Sequence, residues 1–75
     1  MSAGSWVPDL YVMRRDDRGL ALVSGPWAEK VTRLSGVSRR YSQNARGWVV
    51  QLPEIEDVLA AASVDRLRVV ERKPR

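Results

Sequence analysis

Hydrophobic residues along the chain follow two periods, and the alternation between them outlines the elements. Leu10–Arg15 (LYVMRR) and Leu20–Gly25 (LALVSG) are short strand-like runs. The DDRG between them ends in Gly19, which suits the positive φ of a hairpin turn. The second run is apolar at successive positions, which predicts a strand covered on both faces. In Ser24–Gly36 (SGPWAEKVTRLSG) the spacing becomes helical, with Trp27, Val31 and Leu34 at i, i+4 and i+7. Ser24 or Gly25 is the expected cap, Pro26 suits the first helical position, and Gly36 suits the left-handed position past the end.

A second hairpin is expected from Ser38–Gln43 (SRRYSQ) and Gly47–Leu52 (GWVVQL), closed by residues 43–46 with Asn44 as the left-handed residue. Leu52–Ser63 (LPEIEDVLAAAS) reads as the clearer helix. Pro53 stands in its first turn, acidic Glu54, Glu56 and Asp57 match the positive end of its dipole, and Ile55, Val58, Leu59 and Ala62 form its buried stripe. Arg66–Arg72 (RLRVVER) closes the chain as a last strand. The order is β-β-α-β-β-α-β, an α+β fold with a small mixed sheet and two helices on one face.

At 75 residues the chain is expected to form one small domain, with a loose lead-in over residues 1–8 and a basic tail over 73–75. The core must come from Trp, Val, Leu, Ile and Ala, because there is no Phe. With no Cys, disulfides and thiolate zinc sites are excluded. The absent disulfides, the lack of a signal-like start and the lack of an apolar run of ~20 residues together suggest a cytoplasmic protein without a membrane partner. Eleven Arg against two Lys is the composition expected of a GC-rich genome, such as an actinobacterial or phage one.

Charge is unevenly placed. Residues 30–53 carry Lys30, Arg33, Arg39, Arg40 and Arg46 with no acid, and residues 66–75 carry Arg66, Arg68, Arg72, Lys73 and Arg75 against Glu71 alone. Between them lies an acidic block holding Glu54, Glu56, Asp57 and Asp65. Two basic blocks brought onto one face would attract phosphates.

With neither His nor Cys, the usual general bases, nucleophiles and metal ligands are missing. Asp16 and Asp17 read as turn residues, and Glu54 and Asp57 as helix-start residues rather than a hard-cation pair. The five glycines are isolated and build no phosphate loop. A non-enzymatic binding module without a cofactor is the expectation. Trp27 and Trp48 read as core, and Trp6 as a lid or a partner anchor. Tyr41, set among Arg40, Ser42 and Gln43, suits either packing or stacking on an unpaired base. Alternation along the strand points Arg40 and Ser42 one way and Arg39 and Tyr41 the other.

Leu34–Ala62 resembles the small HARP-type domain that accompanies annealing helicases of the SWI/SNF kind. The residues that carry the resemblance are Gly36, Arg39 or Arg40, Tyr41, Arg46, Trp48, Val50 and the helix from Pro53. The resemblance implies the element order above and a DNA-contacting face with Arg39, Arg40, Tyr41 and Arg46, and it does not imply catalysis. The leading expectation is therefore nucleic-acid binding, DNA before RNA, by a monomer or weak dimer. Its site would comprise Lys30, Arg33, Arg39, Arg40, Tyr41, Arg46, Arg72 and Lys73, helped by Arg75. The alternative is a phage or mobile-element module that binds and modulates a host protein.

Overall fold

The computed structural model describes residues 7–72. Trp6, Lys73 and Arg75, to which the sequence assigned roles, lie outside the described residues. The elements are β1 (Leu10–Arg15), β2 (Leu20–Ser24), α1 (Ala28–Ser35), β3 (Arg39–Ser42), β4 (Gly47–Gln51), α2 (Ile55–Val64) and β5 (Val69–Arg72). Short 3-10 turns at Asp16–Arg18 and Leu52–Glu54 lead into β2 and α2. The order is the one expected, and the fold is α+β. No helix among the described residues is long and apolar enough to cross a membrane.

The five strands form one mixed sheet in the order β3-β4-β2-β1-β5. All neighbours are antiparallel except β1 and β5, which run parallel. The β1–β2–α1 and β3–β4–α2 segments repeat one ββα unit, and the two units meet where β2 pairs antiparallel with β4. α2 then carries the chain over β2 and β1, so that β5 adds to the far edge. Parallel strands need such a crossover because no tight turn can join them.

Both helices lie on one face. The buried strand residues Leu10, Val12, Ala21, Val23 and Val50 alternate along their strands and meet Ala28 and Val31 of α1 and Ile55, Val58 and Ala62 of α2. Small β-branched residues and alanines let the helices approach the sheet closely. Trp27, Trp48 and Leu59 pack against this cluster from its margin. Gly19 takes φ 64° and ends the first hairpin turn, the role its position predicts.

Three local expectations fail. α1 starts at Ala28 with Trp27 at its cap, two residues later than Pro26 suggested. Its buried face is Ala28, Val31 and Thr32, while Leu34 is 59% exposed. Thr32 can be buried because its hydroxyl donates to the Ala28 carbonyl at 2.7 Å. In the second hairpin the left-handed residue is Arg46 (φ 53°), not Asn44. β2 is a central strand, but helices cover one of its faces only. Leu22 and Leu20, on the other face, are half-buried by neighbouring side chains.

Candidate functional site

Alternation along β3 sends its two arginines to opposite sides of the sheet. Arg39 pairs with Val50 and faces the helices, whereas Arg40 pairs with Val49 and faces the uncovered side. Arg39 Nη1 donates to the Glu29 carbonyl (2.9 Å), to Glu29 Oε2 (3.0 Å) and to Thr32 Oγ1 (3.1 Å). Its guanidinium carbon also lies 4.1 Å from the centroid of the Trp48 ring. The side chain therefore joins edge strand β3 to α1 across the indole.

Other expected site residues gather on the same side. Tyr41 meets Trp48 edge-on at 5.1 Å between ring centroids and stays half exposed. Arg33 Nε donates to Glu29 Oε2 at 3.2 Å, and the Lys30 ammonium stands 4.8 Å over the Trp27 ring. Glu29 is thus held by two guanidinium groups. The hydrogen bond from Arg39 is the main cause, with Arg33 adding to it, and together they keep the carboxyl below its ordinary pKa against a smaller opposing effect of desolvation. Here Arg33 and Arg39 are matched by the Glu29 carboxylate, and Lys30 and Arg39 are covered by aromatic rings. Arg14 follows the same rule, donating to Glu71 Oε1 at 2.9 Å with Glu56 Oε2 3.5 Å away.

The uncovered face differs. The strand pairings align one straight row of side chains across all five strands: Arg72, Met13, Leu22, Val49, Arg40. At ~4.8 Å between strands, the row runs about 19 Å, with a guanidinium at each end and apolar side chains between. The neighbouring row towards the β3–β4 turn holds Val70, Tyr11 and Ser24, and the row on the other flank holds Arg15, Leu20 and Gln51. No strand residue on this face is acidic. The Arg72 guanidinium lies 4.2 Å from the Tyr11 ring centroid.

A shallow depression of about 230 Å³ opens in this face, lined by Met13, Leu20, Leu22 and Val49, with Arg15 and Arg18 beside them. Ala45, from the turn between β3 and β4, reaches the same depression, which places that turn and the exposed Arg46 at the rim. Arg15 Nε is buried and makes no hydrogen bond; Asp17 Oδ1 stands 3.6 Å from it. Gly47 lets the hairpin lie this close, since a Cβ there would come within 2.8 Å of the Val23 carbonyl and 3.0 Å of Leu22 Cδ1.

The eight expected site residues therefore do not form one surface. Lys30, Arg33, Arg39 and Tyr41 lie on the helix side, and Arg40 and Arg72 face the open side from opposite edges. Arg46 sits at the open-side rim, and Lys73 is outside the described residues. The sequence reading omits Tyr11 and Arg15, although the alternation of LYVMRR held their signal, and Arg18, in the turn that follows, for which the alternation holds none. Once Leu10 and Val12 are buried, Tyr11, Met13 and Arg15 must face the other way. Compared with protein-family models, with curated proteins and with solved structures, the chain matches none, so the HARP resemblance rests on its own residues.

Proposed function

We propose that this domain is a nucleic-acid-binding module and that the ligand lies on the open face of the sheet. The observation that carries the reading is the segregation of charge between the two faces. On the helix side Arg14, Arg33 and Arg39 are paired with Glu29, Glu56 or Glu71. On the open side Arg15 has only exposed Asp17 of the adjoining turn, 3.6 Å away, Arg72 is engaged with the Tyr11 ring, and Arg40 has no hydrogen-bond or ion-pair partner among the described residues. Four cations, Arg15, Arg18, Arg40 and Arg72, border a strand face that contributes no carboxylate. A polyanion is the ligand class that such a border attracts, and its phosphates position the ligand without reading its sequence.

The test is fluorescence anisotropy with labelled oligonucleotides over a salt series. Four neutralised phosphates give a slope of log K against log salt of roughly −2.8 on a single strand and roughly −3.6 on a duplex. Replacing Arg15, Arg40 and Arg72 together by Gln leaves about one phosphate contact and a single-strand slope of roughly −0.7. No binding at about 50 mM salt, the low end of the range in which phosphate contacts are strong, would overturn the reading. The open face would then belong to the protein-binding alternative.

A further inference from the structure

Building on the reading of the open face as a nucleic-acid surface, we propose that its ligand is a single strand. Unpaired bases lie on the apolar middle of the sheet, and the phosphates run to the arginines at its rim. The cross-strand row Arg72–Met13–Leu22–Val49–Arg40 carries the argument. A duplex presents phosphates and groove edges outward and keeps its base faces stacked inside. Laid over this row it would meet cations at the two edges only. Between them it would press hydrated phosphates or groove edges against Met13, Leu22 and Val49, desolvating polar groups without giving them partners. An unpaired strand has the complementary division, with apolar base faces on one side and charge on the other.

Two features supply places for rings. The depression of about 230 Å³ among Met13, Leu20, Leu22 and Val49 is smaller than the ~300–1,000 Å³ typical of small-molecule sites and suits a single planar ring. Arg15 and Arg18 at its edge offer donors to a base edge or an adjoining phosphate. The second place is one row away, where Tyr11 carries Arg72 over its ring at 4.2 Å. Aromatic rings and guanidinium planes are both surfaces on which splayed bases stack. The two places stand on adjacent rows of β1, about 6.8 Å apart for residues two positions along a strand, so successive nucleotides can occupy them.

The experiment compares labelled oligo(dT), oligo(U) and a mixed-sequence duplex of about 12 nucleotides, inside the ~4–16 nucleotide footprint of small single-strand binders. The full chain is used at one salt concentration. Expected is binding of at least one single strand about tenfold tighter than the duplex, with oligo(dT) against oligo(U) telling DNA from RNA. Tyr11→Ala should weaken single-strand binding about tenfold and leave duplex binding unchanged, while Tyr11→Phe keeps the native affinity. A readout independent of any variant is photocrosslinking of the native protein to a 5-bromouracil-substituted strand, expected at Tyr11 or Met13. Equal affinity for duplex and single strand, with crosslinks confined to the turn at residues 43–46, would overturn this inference and leave nucleic-acid binding standing. Failure of all three ligands to bind would remove the underlying reading, and the inference with it.

Discussion

Arg39 and Arg40 are consecutive residues of one edge strand, yet the two faces of the sheet use them in opposite ways. On the helix side Arg39 makes three hydrogen bonds, stacks on Trp48 and ties β3 to α1. On the open side Arg40 ends a row of apolar side chains and has no hydrogen bond or ion pair among the described residues. A guanidinium that is planar, permanently charged and rich in donors serves both purposes, as a structural clamp where acceptors converge and as a ligand for phosphate where they do not. The same residue type is therefore no guide to role until its acceptors are known. The contrast extends to Arg14 and Arg72, which face opposite sides of β1 and β5, the first held by Glu71 and the second resting on Tyr11.

The contrast can be broken at several points. The largest expected effect is on stability, from Arg39→Ala, which removes hydrogen bonds to Glu29 and Thr32 together with the stack on Trp48. Urea denaturation should show a loss of about 2 kcal/mol, against less than about 0.5 kcal/mol for Arg40→Ala. Binding should reverse the ranking, with Arg40→Ala weakening the nucleic acid several-fold and Arg39→Ala leaving it unchanged wherever the protein is folded. If both substitutions cost the same in both assays, the two faces are not distinct.

Gly47→Ala follows, because the new Cβ would press on the Val23 carbonyl and on Leu22. A destabilisation on the order of 1–2 kcal/mol is expected, visible in the same unfolding midpoint. Arg46→Gly should act in the other direction. Arg46 holds φ 53°, a conformation that costs an L-residue ~1 kcal/mol, so glycine should raise stability by roughly that amount while lowering affinity only slightly, since Arg46 stands at the rim outside the four cations that set the salt slope. A variant that is more stable and binds as well as the native chain would take Arg46 off the binding rim.

The smallest effect is a pH dependence. Arg39 and Arg33 lower the folded pKa of Glu29, so the carboxylate contributes stability above its unfolded pKa and loses it as the pH falls through its folded pKa. Glu29→Gln should therefore lower Tm slightly on the neutral side, where the carboxylate contributes, and converge with the native chain in acid, which flattens the acid limb of a plot of Tm against pH. The group is solvent-exposed, which keeps the change small. A steeper acid limb in the variant would show that Glu29 is not what holds Arg39.

Much of this was legible along the chain. β1 occupies the run Leu10–Arg15, Gly19 ends the first turn, and Ile55, Val58 and Ala62 of α2 are buried as their spacing predicts. These features depend on neighbours within a few residues. Thr32 was overlooked because a polar residue on a buried helix face is tolerated only through its hydrogen bond to Ala28, one turn back. Leu34 is exposed because the face of α1 that packs centres on Ala28, Val31 and Thr32, turned away from the Trp27–Val31–Leu34 stripe, and tertiary contacts rather than spacing choose between the two. Arg46 took the left-handed place from Asn44 because the hairpin register, set by the pairing of Ser42 with Gly47, fixed which residue of the turn closes it.

The sequence by itself determined the element order, the unequal charge blocks and the opposite orientation of Arg39 and Arg40, because alternation along a strand is a matter of local backbone sterics. The tertiary structure decided which side the helices cover, and therefore which of the two arginines is matched by Glu29. It also aligned Arg72 with Met13 through the parallel pairing of β1 and β5, and so placed the two basic blocks at opposite ends of one row. That alignment depends on a contact between residues 59 apart in the chain, Leu10 and Val69. It forms only when α2 has crossed the sheet to bury its apolar stripe.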